Sequence, residues 1–362
     1  MMARLRVGQW SLGHVGRHAL SAIIAHPALE LVAAWSHSPG NSGIDASMLC
    51  DAKTATGVPV TSDVDQFIGQ ELDCVVYAAI GETRPREAVN ELVRLLAAGI
   101  NVVSVSMIDL IHPGSAHPKA VNRLQAACLE GRASLFTTGL DPGFTLDALP
   151  ISAVQLCRRV RTVRVQELGL YGDHPDPGWG TPYGFGLPAG APAPILDHGA
   201  PTRYWGGVVR ALAEMLGIEL DGLEETVARC YADEAFDVPI GHMAKDSLVG
   251  VRFQVAGVSR GQPRVVADHV TRIHPDVAPQ WPQPGMGRRA LYRITIEGEP
   301  NLVLEMTLGG EGSGIDYNEA TLVATAARAV NAVPAVVATP PGIVTFADLG
   351  LNGIASGRIS SG

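Results

Sequence analysis

Short apolar segments alternate with amphipathic segments over the first 140 residues. Leu5 to Trp10 is an apolar run, and residues 14–25 then carry Val15, Ala19 and Ile23 at helical spacing. The alternation continues in the segments 29–35, 73–79, 84–98, 101–105, 118–130 and 134–137. Because alternating strands and helices build parallel sheets, the pattern predicts an α/β protein with an N-terminal Rossmann fold.

The pattern changes near residue 160. Longer strand-like segments then follow at 161–170, 249–257, 264–272, 289–297 and 301–308. They predict a second α/β domain built on a mainly antiparallel sheet. Residues 173–205 are dense in Gly and Pro and predict a long ordered loop, and helical spacing returns at 318–333. We expect a Rossmann domain over 1–140, with 318–362 packing back on it, and a substrate-binding and dimerisation domain over 141–317.

Composition restricts the classes of function. The 362 residues are 46% hydrophobic and 17% charged, which suits two folded domains. A formal net charge of −9 disfavours nucleic acids and anionic membrane surfaces as partners. The five cysteines form no CxxC pair and the histidines have no metal-ligand spacing, so we expect reduced thiols, a cytoplasmic protein and no metal site. No apolar run is expected to be long enough to span a bilayer.

The turn after the first strand has the context of a dinucleotide-binding site. The candidate cofactor-binding residues there are Ser11, Leu12, Gly13, His14, Val15, Gly16 and Arg17. Gly13 would let the backbone approach a pyrophosphate, and Gly16 would let helix and strand pack closely. Ser11 occupies the first glycine position of the usual G-x-G-x-x-G motif, and a tight turn that binds nothing is the alternative. Ala79 and Ser104, at the ends of later strands, complete the predicted cofactor set.

The end of the second strand bears on the choice of cofactor. NAD-selective sites place an acid there, whereas this chain has Ser36, His37 and Ser38 and no acid before Asp45. Hydroxyls and an imidazole can donate to a 2′-phosphate, and Arg17 adds charge nearby. We therefore expect NADP, with NAD use still open; a merely polar turn is the alternative.

Four further segments carry a family resemblance. They are Gly139 to Phe144 (GLDPGF), Val270 to Pro282 (VTRIHPDVAPQWP), Tyr292 to Asn301 (YRITIEGEPN) and Ala327 to Leu349 (ARAVNAVPAVVATPPGIVTFADL). In this order they resemble the native amine dehydrogenase and 2,4-diaminopentanoate dehydrogenase group. The N-terminal region resembles dihydrodipicolinate reductase-like proteins.

The resemblance implies a homodimer that catalyses reversible NAD(P)H-dependent reductive amination of ketones with ammonia. True dihydrodipicolinate reductases carry a His-His…Lys motif on the strand that opens their second domain. The corresponding residues 167–174 (ELGLYGDH) lack the His-His pair and a partnered Lys, so that activity is not expected.

Reductive amination needs a carboxylate as general acid–base, and the resemblance implies a glutamate after the strand that ends near the nicotinamide. Asp109 is the only acid in that region, 104–110. It is one methylene shorter than glutamate. An aspartate that merely caps a short turn is the alternative.

Glu167 is the second catalytic candidate. By strand alternation it shares a face with Val163, Val165 and Tyr171, so it is either an exposed strand end or a site group. Tyr171 would hydrogen-bond a substrate or simply pack, and Phe144 is a candidate pocket wall.

The leading hypothesis is an amine dehydrogenase acting on small, mainly uncharged ketones, aldehydes or amines. Two alternatives stay open: an NADPH-dependent imine or carbonyl reductase, and a catalytically silent NADP-binding sensor.

Overall fold

The computed structural model describes residues 3–174, 177–285, 288–309 and 316–350. The chain divides into two compact units. The first comprises residues 1–144 and 321–362, and the second comprises residues 145–320. Residues 351–362 of the segment expected to pack back on the first domain lie outside the described part of the chain.

The described strands are β1 (Leu5–Trp10), β2 (Leu29–Trp35), β3 (Val60–Thr61), β4 (Cys74–Tyr77), β5 (Asn101–Ser104), β6 (Ser134–Thr137), β7 (Arg159–Leu170), β8 (Gly222–Tyr231), β9 (Phe236–Val238), β10 (Gly241–Met243), β11 (Leu248–Ser259), β12 (Gln262–Arg272), β13 (Ala290–Glu299), β14 (Leu302–Met306) and β15 (Gly342–Val344). The described helices are α1 (His14–Ala25), α2 (Val64–Ile68), α3 (Pro85–Ala97), α4 (Pro118–Gly131), α5 (Ala148–Val154), α6 (Ala200–Met215), α7 (Tyr317–Val337) and α8 (Phe346–Leu349).

The first unit is built on a parallel sheet with strand order β15-β6-β5-β4-β1-β2-β3. Its central strands are apolar throughout, as in β4, where all four residues are buried. This confirms the predicted parallel α/β sheet. The strand order reverses between β1 and β4, and ligands of doubly wound sheets bind at the carboxyl ends of the strands at such a point.

The second unit contains a sheet of order β14-β13-β7-β12-β11-β8. The expectation of a mainly antiparallel sheet needs correction: the sheet is mixed, because β7 and β12 at its centre are parallel, while the other pairs are antiparallel. The cause is the connection from β7 to β8, which contains helix α6. A helical crossover returns the chain to its starting end, and two reversals then align β12 with β7.

Helix α6 and strand β8 were not predicted. The region 173–205 was expected to be a loop, yet Ala200–Met215 is a helix with Pro201 in its first turn, where proline is tolerated. Trp205, Val208 and Leu212 are buried along one side. This side packs against β8, β11 and β12, so it covers one face of the second sheet.

The other face of the second sheet carries a buried ion-pair network. Asp268 is fully buried on β12, and Arg164, Gln166 and Arg252 from the neighbouring strands all donate to its carboxylate, at 2.9–3.1 Å. Burial alone would raise the pKa of Asp268, but these donors and charges outweigh it and lower the pKa. The carboxylate therefore stays ionised and ties three strands together.

Helix α7 corrects the expectation that no apolar run is long enough to span a bilayer. By length and composition Tyr317–Val337 has the span needed. Its small side chains are used for packing, since Ala326, Ala329, Val333 and Val336 are fully buried. Alanine and valine give a narrow helix that neighbours can approach closely, which explains the high apolar content of a core helix.

Candidate active site

The turn after β1 is held by a buried amide. Ser11 adopts a left-handed conformation with φ of 74°, the backbone region that glycine favours. The side chain of Gln9 donates to the carbonyls of Trp10 and Ser11, at 3.2 and 2.9 Å. Gln9 was not among the predicted residues. Its amide holds the turn in place although a serine stands at the first glycine position.

The two glycines of this turn differ in their surroundings. A Cβ on Gly16 would collide with the backbone carbonyl of Ser11, so the close approach of α1 to the turn requires glycine. A Cβ on Gly13 would meet nothing within 4 Å. The backbone N–H groups at the start of α1 therefore border open space, which a pyrophosphate requires.

The neighbouring residues of the turn are more exposed. Gly13, His14 and Arg17 are exposed, and Leu12 and Val15 are half-buried. Arg17 Nη2 lies 3.0 Å from His14 Nδ1. The two side chains form a polar pair on the first turn of α1.

The end of β2 presents hydroxyls and a ring. Ser36 Oγ accepts hydrogen bonds from the backbone N–H of Ser38 and from the amide of Asn41. His37 is exposed beside the ring of Trp35. Asp45, the next acid, accepts hydrogen bonds from Ser47, Thr56 and Gly57 within its own loop. Its carboxylate is thus engaged in holding that loop.

The ends of β4 and β5 are joined by a residue that sequence reasoning missed. Glu82, in the loop after β4, accepts from the backbone N–H of Met107 at 2.8 Å. Ala79 and Ser104 are both buried at the respective strand ends. Ser104 Oγ donates to the carbonyl of Ser106 and accepts from its N–H. These contacts hold the loop that leads into the turn containing Asp109.

Asp109 lies in the 3-10 turn Ile108–Ile111. Burial raises the pKa of its carboxyl and the charge of Glu82 raises it further, whereas the N–H groups of Asp109 and Leu110 act in the opposite direction. Contact with the backbone of its own turn agrees with the capping alternative. The raised pKa agrees with the catalytic one, so both stay open for this residue.

Phe144 packs against a buried cation within the first unit. The guanidinium of Arg328 lies 5.5 Å from the centre of the Phe144 ring and 5.2 Å from that of Phe346. Arg328 Nε also donates to Thr138 Oγ1. The ring of Phe144 therefore helps hold the segment after β6, a contact the sequence did not indicate.

Glu167 on β7 and Tyr171, the residue directly after β7, meet on one face of the second sheet, as their even spacing in the sequence suggested. The Tyr171 hydroxyl donates to Glu167 Oε1 at 2.5 Å. A Cβ on Gly169 would collide with the Tyr171 ring, so glycine lets this ring fold back along the strand. Burial, and then the charge of Glu167, raise the pKa of Tyr171 well above its usual value. The phenol thus stays protonated and donates to the carboxylate.

His269 is the functional candidate that sequence reasoning missed. It pairs with Glu167 across the parallel strands, and its Nε2 lies 3.4 Å from Glu167 Oε2. Phe253 and Trp205 pack against its ring. His269 directly precedes the VTRIHP segment that carries the family resemblance, but only strand register reveals its neighbour. Trp205 lay at the end of the predicted loop.

The fold defines the general class of the protein. A solved structure described as amine dehydrogenase from Mycobacterium smegmatis matches with a TM-score of 0.73 at 22% identity, over 95% of both chains. With the parallel sheet and the glycine turn after β1, this match shows that the chain has a Rossmann-type α/β fold.

Sequence comparison then identifies the family. An amine dehydrogenase of Streptomyces virginiae is 35% identical over 345 residues, which cover 94% of this chain and 95% of that protein. A 2,4-diaminopentanoate dehydrogenase of Acetoanaerobium sticklandii is 22% identical over 358 residues, 96% and 94% of the two chains. The 2,4-diaminopentanoate dehydrogenase C-terminal domain family matches residues 205–360. The chain belongs to the amine dehydrogenase family, NAD(P)-dependent dehydrogenases that act on amine donors.

Proposed function

We propose that this enzyme catalyses the reversible reductive amination of small, mainly uncharged ketones and aldehydes with ammonia, using NADPH in preference to NADH. The observation that carries the proposal is the carboxylate of Glu167. It lies on a largely apolar sheet face, 18% exposed, with a protonated tyrosine on one oxygen and a histidine facing the other. Such a site suits a carboxylate that accepts a proton and holds a cation.

The Glu167 carboxylate has two tasks in this reaction. It takes a proton from ammonium, which releases the ammonia that adds to the carbonyl carbon. A proton then passes from the nitrogen of the adduct to its oxygen and gives the carbinolamine, and protonated Glu167 donates its proton to the carbinolamine hydroxyl, which leaves as water. The resulting iminium is cationic, and the ionised carboxylate stabilises it electrostatically. Tyr171 donates a hydrogen bond to Oε1 of Glu167 and so limits rotation of the carboxylate. Asp109 remains the second candidate for the same role.

The first unit fits a nicotinamide cofactor, which supplies the hydride. Gly13, Gly16 and the start of α1 would hold the pyrophosphate, and Ala79 and Ser104 would lie along the strand ends. Ser36, His37 and Ser38 would surround the ribose. We propose NADP because Asp45, the first acid after β2, is engaged in hydrogen bonds within its own loop, whereas the exposed residues that directly follow β2 are His37 and Ser38, which can donate to a 2′-phosphate.

We further propose a cytoplasmic homodimer. The dimer would form through the second-sheet face that carries Asp268, on the side opposite helix α6. Val303 on β14 is 63% exposed on that face, beside Thr295 and Arg164. An exposed valine next to a fixed row of polar side chains suits a self-complementary contact.

The test is ammonia-dependent oxidation of NADPH with short-chain and cyclic ketones. We expect turnover that requires ammonia and yields the primary amine. Turnover without ammonia would instead identify an imine or carbonyl reductase, and tight NADPH binding without turnover would identify a sensor. Either result would overturn the proposal.

A further inference from the structure

His269 lies in an aromatic enclosure within the second unit. Its ring centre is 4.7 Å from that of Phe253, with 14° between the planes, and 4.6 Å from Trp205. The residue is only 3% exposed. Because Phe253 stacks on the ring and Trp205 packs against it, the imidazole cannot turn freely about its side-chain bonds.

The two oxygens of Glu167 face different partners. Oε1 accepts the hydrogen bond of Tyr171, and Oε2 faces Nε2 of His269 at 3.4 Å. On the neighbouring strand β13, Tyr292 lies directly opposite Glu167. The register therefore places Tyr292, Glu167 and His269 in one row across strands β13, β7 and β12.

We infer that His269 is a positioning residue for Glu167, its Nε2 facing Oε2 at 3.4 Å so that the carboxylate is flanked on both sides. This inference rests on the proposed catalytic role of Glu167. Stacking fixes the plane of the imidazole, and the imidazole fixes the plane of the carboxylate. A carboxylate held in this way keeps a constant orientation towards the substrate, which general acid–base catalysis requires.

Two variants separate positioning from packing. His269→Phe keeps a ring for Phe253 and Trp205 to pack on but removes the donor. His269→Gln removes the ring but keeps an N–H donor that can reach a carboxylate. We expect His269→Phe to lower kcat for amination by at least about tenfold with little change in KM, and His269→Gln to recover part of that loss. Glu167→Gln should lower kcat further, by roughly 10²–10⁴-fold.

His274, a half-buried histidine just beyond β12, provides a matched control. His274→Phe and His274→Gln should leave kcat and KM unchanged, and thermal unfolding of all variants reports on folding. Full activity in His269→Phe together with a loss in His269→Gln would show that the histidine serves packing only, and would overturn the inference. Equal losses in both would overturn it as well. Absence of amination by the wild-type enzyme would instead refute the proposed function, and a silent Glu167→Gln would refute the role of Glu167.

Discussion

At the scale of single residues, burial governs the behaviour of Asp109. Burial raises the pKa of its carboxyl, and the nearby carboxylate of Glu82 acts in the same direction. An acid whose pKa is higher in the folded than in the unfolded protein stabilises the fold fully below its unfolded pKa. That contribution is lost as the pH rises through the folded pKa. At neutral pH the carboxyl of Asp109 therefore lowers the free energy of unfolding relative to an acid with an unshifted pKa.

Replacing Asp109 with asparagine removes the buried ionisable carboxyl and its cost to stability. Asp109→Asn should raise the free energy of unfolding at neutral pH, and the gain should shrink below about pH 4, where an ordinary aspartate is protonated. Asn caps a turn about as well as Asp, so the turn itself should persist. Chemical denaturation at the two pH values measures the effect.

The same variant decides the catalytic assignment. If Glu167 is the general acid–base, Asp109→Asn should retain amination. A fall of roughly 10²–10⁴-fold, with NADPH binding intact, would transfer the role to Asp109. Asp109→Glu should then be tolerated or improved, because it restores the side chain that the family resemblance implies.

His37 provides a residue-scale test of cofactor choice. It is exposed at the end of β2, so His37→Asp should fold normally and place a carboxylate where a 2′-phosphate is expected. The ratio of kcat/KM for NADPH to that for NADH should fall by about tenfold or more, equivalent to about 1.4 kcal/mol. A wild-type enzyme that already prefers NADH would contradict the NADP proposal.

At the scale of elements, the two glycines of the β1–α1 turn are required for different reasons. Ser11 takes a left-handed conformation that the Gln9 amide supports, and this places the Ser11 carbonyl against Gly16. Gly16 is thus required by packing inside the protein. Gly13 borders open space and is required only if a ligand approaches it.

Matched substitutions at the two glycines test this difference. Gly13→Val should leave thermal stability nearly unchanged but weaken NADPH binding by at least tenfold, equivalent to about 1.4 kcal/mol. Gly16→Ala should cost about 1–3 kcal/mol of stability, because the added methyl group displaces backbone. Calorimetric titration and thermal unfolding measure the two effects. Unchanged NADPH affinity in folded Gly13→Val would show that the cofactor binds elsewhere.

At the scale of the whole molecule, the two faces of the second sheet differ in the side chains they carry and in what covers them. Helix α6 covers one face with apolar side chains, whereas the other bears the network around Asp268 and the exposed Val303. The buried network holds three strands of this face in place, so the exposed side chains around it can keep a constant arrangement towards a second copy of the chain.

The oligomeric state tests this interpretation. The wild-type protein should elute with the mass of two chains in size-exclusion chromatography with light scattering. Val303→Arg should weaken dimerisation at least tenfold, since it places an unpaired charge at the contact. Leu129→Arg on α4, at a residue that is 59% exposed in the first unit, is the control and should remain dimeric. A wild-type monomer at micromolar concentration would exclude the dimer.

The sequence by itself determined the features that depend on neighbouring residues. The alternation of apolar and amphipathic segments predicted the parallel sheet, because strand and helix periodicities are local properties. The same reasoning placed the glycine turn after β1 and put Glu167 and Tyr171 on one sheet face. The family motifs gave the amine dehydrogenase assignment.

Only the tertiary structure decided the features that depend on strand register and on distant segments. It made β7 and β12 parallel neighbours, which placed His269 beside Glu167. It also showed Glu82 joining two loops and Gln9 supporting Ser11. A pairing between residues far apart in the chain has no local periodicity. It is fixed when a crossover helix and two strand reversals bury one sheet face together, so a single sequence carries little signal for it.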